Sequence, residues 1–547
     1  MQTPTKTITG ADALAHGVMA AGASLVTGYA GAPATSVVNS LLKHTTEETL
    51  RIEWTTNEKV AVEMAFGASV AGSRSVLCVK SVGLNISLDP LMAINLTGCN
   101  AGLVILLGDD PGGWGSQNEQ DTRSLALAAK LPVLEPLSVL DGSEAVLEAF
   151  HVSEEWNLPV IVRFTSPFVT AKTTTERDAG VVPGAAASAR KPFDRYVVLP
   201  VDVVPFHHRL HQKLKGIETR FEASPFNVQR GRGGNGVIAA GFAFSKMMDV
   251  IGESLPEELG VLGLGTFFPM PAARVSAFLK KVKRVLVLEE TDPLVERRVR
   301  SLAQEQGLTL PVFGRDTSHI PWAGELFRPH LAEALNRFCP GLRIPEDGDR
   351  TRPMISRQSL CEGCPYIPVF ETLLASLSAM GGRNRAIIVG EPGCMVRGQL
   401  PPYDLLDVKT SLGSSIGMGI GIALTMARHH ENKRVVALCG DSSFLHSDMN
   451  ALLDAARARV SLLVLILDNG TTALSGGQPH PASPRDARGR PRPAVDMAAL
   501  ARASGVTTVE TVGVHSGDRL KAAIEAALKA EGVSVIVASG PCPRYEK

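Results

Sequence analysis

The sequence predicts an α/β protein of several domains, each built on a parallel sheet with helices on both faces. Three observations carry that expectation. Short, nearly all-apolar runs such as SVLCVKS, GLVILLGDD and RVVALC alternate with longer helical segments, the pattern of strands buried on both sides and joined by crossovers. Two of these runs end in an acid or an amide, CGDSS and LDNG, where an open parallel sheet presents its ligand-binding edge. The chain has 547 residues, too many for one core.

Taken in order, residues 1–180 read as the first domain. SLVTGYAG, SVLCVKS, GLVILLGDD and LPVIVRF are its strands; ADALAHGVMAAG, EKVAVEMAFGASVAG and DGSEAVLEAFHVSEEW are its helices. TTTERDAGVVPGAAASARKPFD, rich in Ala, Gly and Pro, reads as a linker. Residues 192–345 form a second domain, with GGNGVIAAGFAFSKMMDVI as a strand, glycine turn and helix, and with strand ends in ELGVLGLGTFFPMP and KRVLVLEE. The breaker-rich PGLRIPEDGDRTRPMISRQ closes it. Residues 353–547 make the last α/β domain, with strands RAIIVGE, RVVALCG, SLLVLILDN and VSVIVAS.

Composition narrows the function classes. Hydrophobic residues make up 44% and charged residues 20% of the chain, values of a globular protein. Lys+Arg and Asp+Glu are both 55, which argues against nucleic acid or an acidic membrane as the main partner. No run of about 18 apolar residues occurs, so no membrane span is expected. MQTPTKTITGADALAHG lacks the apolar core of a signal peptide, and a cytoplasmic location is expected. Eight cysteines in so long a chain are no disulfide framework.

The strand-end residues carry the first chemical signal. Asp441 and Asn469 stand at the carboxyl ends of two expected strands. A carboxylate and an amide carbonyl are hard oxygen ligands suited to Mg²⁺, and such an ion can bridge a diphosphate whose charge is costly to bury. On spacing alone, a strand-end Asp and a turn Asn without a ligand is the alternative. The small residues of GSSIGMGIG, with Gly413, Ser414 and Ser415, could let backbone N–H groups approach a phosphate. Glu58 opens an expected helix, where the helix dipole alone would favour an acid. Cys361 and Cys364 form C-x-x-C, which by itself suits zinc or a redox dithiol.

Gly440-Asp441-Ser442, with 26 residues before Asn469, resembles the thiamine diphosphate motif. That motif places Mg²⁺ on Asp441, Asn469 and the carbonyl of Thr471, with Gly440, Ser442 and Ser443 along the diphosphate. Glu58, nine residues before Gly67, matches the family acid that protonates N1′ of the aminopyrimidine; Glu63, later on the same helix, is the weaker match. GYAGAPATS, NEKVAVEMAFGASVAG, KSVGLNISLDPLM, SQNEQDTR, KLPVLEP, CEGCP, GEPGC, GDSSFLHS and LDNGTTALSGGQPHP together resemble the α subunit of indolepyruvate:ferredoxin oxidoreductase, one of the 2-oxoacid:ferredoxin oxidoreductases. The likeness spans nearly the whole chain in the family's order.

The resemblance implies a multidomain thiamine diphosphate-binding fold: a pyrimidine domain, a transketolase-C-terminal-like α/β domain, then a diphosphate domain. It implies oxidative decarboxylation of an arylpyruvate such as indolepyruvate to an acyl-CoA. Cys361, Cys364, Cys394 and Cys542 resemble the ligands of that family's proximal [4Fe–4S] cluster, and four thiolates meet such a cluster's demand. The implied partners are the 2-oxo acid, coenzyme A, ferredoxin or another electron carrier, and a smaller second subunit, with two copies of this chain in a hetero-oligomer. The cysteine quartet separates this reading from its rival, a non-oxidative thiamine diphosphate-dependent decarboxylase or lyase. The family's usual ferredoxin-like extension needs about eight further cysteines; Cys78, Cys99, Cys339 and Cys439 are scattered, so one cluster is expected. Four positions depart from the family pattern: Ala30, Ala32, Ser81 and Asp448. Trp114 is either an aromatic wall for an arylpyruvate or a loop residue packing on its own domain. His446 and His480 are proton-transfer candidates or loop hydrogen-bonders.

Overall fold

A computed structural model describes residues 5–176, 180, 182, 196–252, 254–352, 359–430 and 433–545. Most of the expected linker at 173–194 and the end of the breaker-rich stretch before 359 lie outside the described residues. The chain divides into two compact units, residues 1–53 with 58–353, and residues 54–57 with 354–547.

The first unit holds two main sheets. The seven-stranded one runs Thr266–Phe268, Val133–Leu134, Val160–Thr165, Leu103–Asp109, Ser75–Lys80, Leu25–Gly28, Arg51–Trp54. The register places Leu77 beside Thr27 and Ile105, and Ile105 beside Ile161, all parallel. Every residue of Leu103–Asp109 and Val160–Thr165 is buried, as continuous apolar runs require when helices cover both faces. The short edge strand Thr266–Phe268 pairs antiparallel with Val133–Leu134, so the segment after the linker returns a strand to the first sheet. Its own sheet has five strands: Val312–Phe313, Arg284–Leu288, Asn235–Ala240, Leu259–Leu264 and the antiparallel edge Asn227–Gly231.

The second unit is a six-stranded parallel sheet: Val408–Lys409, Ala386–Gly390, Arg434–Gly440, Leu462–Asp468, Val533–Ser539, Thr508–Gly513. Strand side chains alternate between faces. Val436, Leu438, Leu463, Leu465 and Leu467 pack with Phe370 and Leu373 of the helix Tyr366–Ala379 and with Leu520 and Ile524 of the helix Gly517–Lys529. Val435, Ala437, Cys439, Leu462, Val464 and Ile466 pack on the opposite face with Ile416 and Ala423 of the helix Ser415–Arg428. Each such buried Leu or Val contributes roughly 1.5–3 kcal/mol over leaving it exposed. That two-sided core fixes where the strands end, and the ends carry the polar residues.

Candidate cofactor sites

Asp441 follows the strand Arg434–Gly440 directly and is buried. The neighbouring strand Leu462–Asp468 runs parallel to it, with Gly440 beside Leu467. The two strand ends therefore meet. Asp441 Oδ2 accepts the N–H groups of Asn469 at 3.0 Å and Gly470 at 2.8 Å, and Oδ1 accepts that of Ser442 at 2.7 Å. His480 Nε2 stands 3.1 Å from Asp441 Oδ2. Burial alone would raise the Asp441 carboxyl, but the His480 imidazole and the surrounding amides outweigh it and hold the group below the usual carboxylate range. Burial pushes His480 down, and Asp441 more than reverses this.

Asn469 is fixed on both ends of its amide. Its Oδ1 accepts the Thr471 N–H at 3.1 Å, and its Nδ2 donates to the Tyr366 hydroxyl at 2.6 Å. Tyr366 in turn donates to the Leu467 carbonyl at 3.2 Å. The ionised Asp441 carboxylate and the neutral oxygens of the Asn469 amide and the Thr471 carbonyl are hard donors, and that chemistry fits Mg²⁺. Ser442 and Ser443 are buried beside Asp441.

The 413–416 loop differs from a bare phosphate cradle. The N–H groups of Gly413 and Ser414 donate to Glu391 Oε2 at 2.6 and 3.1 Å, and Gly440 N–H donates to Glu391 Oε1 at 3.3 Å. Ser415 Oγ and Ile416 N–H donate to Asp448 at 2.9 and 3.1 Å. Gly413 has φ +68°, and a Cβ there would stand 2.6 Å from that of Ser447, so glycine is required. His446 is buried on the one-turn π-helix Phe444–Asp448, with Nδ1 2.7 Å from Ser447 Oγ; such turns recur at functional sites.

Cys361, Cys364, Cys394 and Cys542, all free thiols, line one pocket with Tyr366, Arg397 and Asn469. The turn at Gly363, φ +69°, closes with the Cys364 N–H on the Cys361 carbonyl at 3.1 Å. Burial pushes the Cys394 thiol up to about 12, against the Arg397 guanidinium. The Cys542 N–H donates to the Asn469 carbonyl at 3.3 Å. Asn469 thus belongs to both the strand-end site and the cysteine pocket. Four thiolates on one zinc, at Zn–S about 2.3 Å, stand about 4 Å apart. Among the described residues, the one set of three or more potential ligands whose donor atoms lie within 4.8 Å of one another is Glu391, Cys439 and Asp448; no three of the pocket sulfurs are that close. Cys78 and Cys439 are core residues inside their strands.

In the first unit, Glu58 opens the helix Glu58–Val70 and is buried. Its carboxylate lies against Gly83, where a Cβ would be 2.8 Å from Oε1, and the Ser87 hydroxyl donates to its carbonyl at 3.1 Å. Glu63 is half-exposed and paired with Lys59. Ser81 is buried at the start of the helix Ser81–Thr97, and the Lys80 stem fills the space beside Gly31. Trp114 packs on its own unit: its indole N–H donates to Glu325 at 3.1 Å, its ring meets Phe327 edge-on, and Arg352 lies over its face. Nothing in the sequence pattern singles out Tyr366 or Glu391. CEGCPY and GEPGC place both beside expected cluster ligands, but nothing local marks their hydrogen bonds.

Residues 16–194 match the family described as pyruvate flavodoxin/ferredoxin oxidoreductase, thiamine diphosphate-binding. Residues 392–538 match the thiamine pyrophosphate enzyme C-terminal TPP-binding domain. The indolepyruvate oxidoreductase subunit IorA of Methanothermobacter thermautotrophicus is 34% identical over 97% of this chain and 86% of its own length. That of Pyrococcus abyssi is 32% identical over 98% and 85%. The 2-oxoglutarate synthase subunit KorB of Archaeoglobus fulgidus is 26% identical over 34% of this chain and 70% of its own. A solved 2-oxoglutarate:ferredoxin oxidoreductase from Magnetococcus marinus covers 57% of this chain and 62% of its own at TM-score 0.47 and 17% identity, too distant to add to the argument. With thiamine diphosphate-binding families at both ends and relatives alike over nearly its whole length, the chain belongs to the family of indolepyruvate oxidoreductase subunit IorA, thiamine diphosphate-dependent 2-oxoacid oxidoreductases.

Proposed function

We propose that this chain is the catalytic subunit for oxidative decarboxylation of an arylpyruvate to an acyl-CoA, with electrons leaving through one [4Fe–4S] cluster. The observation that carries this reading is Asn469, which lines the four-cysteine pocket and whose N–H binds Asp441. A decarboxylase without a redox step has no use for that pocket. Four free cysteines lining one pocket match the ligand count of such a cluster.

In this reading Asp441, Asn469 and the Thr471 carbonyl hold Mg²⁺, and Gly440, Ser442, Ser443 and the 413–415 loop surround the diphosphate. When bound, thiamine diphosphate supplies a nucleophilic carbon and an electron sink. Glu58 holds a proton at N1′ of the aminopyrimidine. His446 is the proton carrier nearest these segments in sequence. Cys361, Cys364, Cys394 and Cys542 hold the cluster, and the Asn469 main chain links the two sites through hydrogen bonds, its N–H to Asp441 and its carbonyl from the Cys542 N–H. Residues 1–180, 192–345 and 353–547 serve as pyrimidine, transketolase-C-terminal-like and diphosphate domains. The relatives' names support indolepyruvate as substrate and a second subunit as partner. Coenzyme A as acceptor, a ferredoxin-type carrier, two copies of this chain per complex and a cytoplasmic location complete the reading. Among the described residues no helix is long and apolar enough to cross a membrane.

The test is anaerobic turnover of indolepyruvate by the complete complex with coenzyme A and a low-potential dye. Acyl-CoA formed in step with dye reduction is expected. Aldehyde released with no dye reduction would replace this reading by the non-oxidative one.

A further inference from the structure

Glu391 and Asp448 are both fully buried, and with Cys439 their donor atoms lie within 4.8 Å of one another. They are poor metal ligands as they stand. Three N–H groups, from Gly413, Ser414 and Gly440, already point at Glu391. The Ser415 hydroxyl and the Ile416 N–H already point at Asp448. One oxygen of each carboxyl group thus lies within 4.8 Å of an oxygen of the other. Two charged carboxylates this close and away from water repel too strongly to coexist, and one proton held between them relieves the repulsion. Only one of the two can therefore be ionised.

The donors come from separate parts of the chain. Glu391 follows the strand Ala386–Gly390, Gly413 to Ile416 open the helix Ser415–Arg428, Gly440 ends the strand Arg434–Gly440, and Asp448 closes the π-turn after Asp441. One buried pair ties all four together. We infer that Glu391 and Asp448 share a single proton and act as positioning residues that hold the diphosphate-binding segments at 413–416 and 440–448 in register. This deepens the reading that these segments bind thiamine diphosphate, and it rests on that reading. Burial holds both carboxyl groups above the usual range, Glu391 with Asp448 as the second cause, in keeping with one proton between them. In this arrangement the amides of Gly413 and Ser414 are bound to protein, so the pair shapes the cradle and does not compete as a ligand.

The inference predicts an unusual ranking of variants. Glu391→Gln keeps a donor toward Asp448 and an acceptor toward the Gly413 and Ser414 amides, and gives up only the long 3.3 Å bond from Gly440, so it is the nearest mimic of the protonated acid. Its affinity for thiamine diphosphate with Mg²⁺, measured by titration calorimetry on the full chain, should stay within about threefold of the parent. Glu391→Ala and Asp448→Ala should each weaken binding by about tenfold or more, and the double variant should be little worse than either alone, since both remove one shared interaction. The infrared difference between parent and Glu391→Gln at neutral pH should show a protonated carboxyl band in the parent alone, and this readout needs neither Ala variant to fold. Binding by Glu391→Gln as weak as by Glu391→Ala, unchanged binding in both Ala variants, or absence of the carboxyl band would each overturn the inference. Asp441→Ala separates it from the underlying reading. Loss of binding there with intact binding in Glu391→Ala defeats the clamp alone. Intact binding in Asp441→Ala defeats the cofactor reading and the clamp with it.

Discussion

At the scale of residues, the two ends of the strand-end site differ in how visible they are. Asp441 and Asn469 could be read because the motif is local in two places and its spacing is one strand-helix-strand unit. Tyr366 and Glu391 could not, because a buried hydroxyl or acid is defined by the partners that tertiary structure brings to it. Tyr366 lies 103 positions from the Asn469 amide it accepts from. Glu58 was legible as a helix-opening acid; what makes it distinctive is Gly83, which leaves room for its carboxylate. Glu58→Gln keeps that shape but not the acid. We expect turnover to fall by several orders of magnitude while thiamine diphosphate still binds, measured by steady-state kinetics beside calorimetric titration. Near-parental turnover would move the role elsewhere. Glu63 is a weak successor, since it is half-exposed and paired with Lys59.

Elements were the most legible level. DGSEAVLEAFHVSEEW became the helix Asp141–Trp156 with identical bounds, and the apolar runs became strands buried on both faces. Periodicity alone sufficed there, because the core on each face selects alternate residues. How helices approach each other was not legible. The helix Ser81–Thr97 begins with Gly83 against the Glu58 side chain at the start of the helix Glu58–Val70. Gly83→Ala would put a methyl 2.8 Å from the Glu58 carboxylate, which can escape only by moving. Because a shift of about 1 Å can cost on the order of a hundredfold in rate, kcat should fall at least tenfold with a melting temperature close to the parent's. An unchanged kcat would show that the carboxylate has slack the packing does not reveal. Trp114 makes the complementary point. The sequence left open an aromatic wall or a loop residue packing on its own domain, and Glu325, Phe327 and Arg352, more than 200 residues later, supply that packing.

At the scale of the whole molecule, the composition break at 173–194 marked a change of segment but not the return of Thr266–Phe268 to the first sheet. Nor did it show the buried ion network beside that strand. Arg163 donates to Asp109 at 2.7 Å, to Glu135 at 3.0 Å and to the Glu290 carbonyl at 2.8 Å. Arg123 pairs with Asp121 and Glu289. All four acids and both arginines are buried, so the charges are stable only together. Removing one partner strands the others, whereas the intact set adds little net stability. Arg163→Ala should therefore destabilise the first unit by about 3–5 kcal/mol, seen as a lower denaturant midpoint. A loss below about 1 kcal/mol would mean that water reaches Asp109 and Glu135.

The proposed function puts a redox cluster beside the Asp441–Asn469 strand ends, and iron content is its sharpest test. Anaerobically purified protein should carry about four irons per chain with the broad visible absorption of a [4Fe–4S] cluster, and Cys542→Ala should lose most of both despite lying 181 positions from Cys361. Protein that decarboxylates its 2-oxo acid at full rate while containing no iron would contradict the account and leave a non-oxidative lyase in its place.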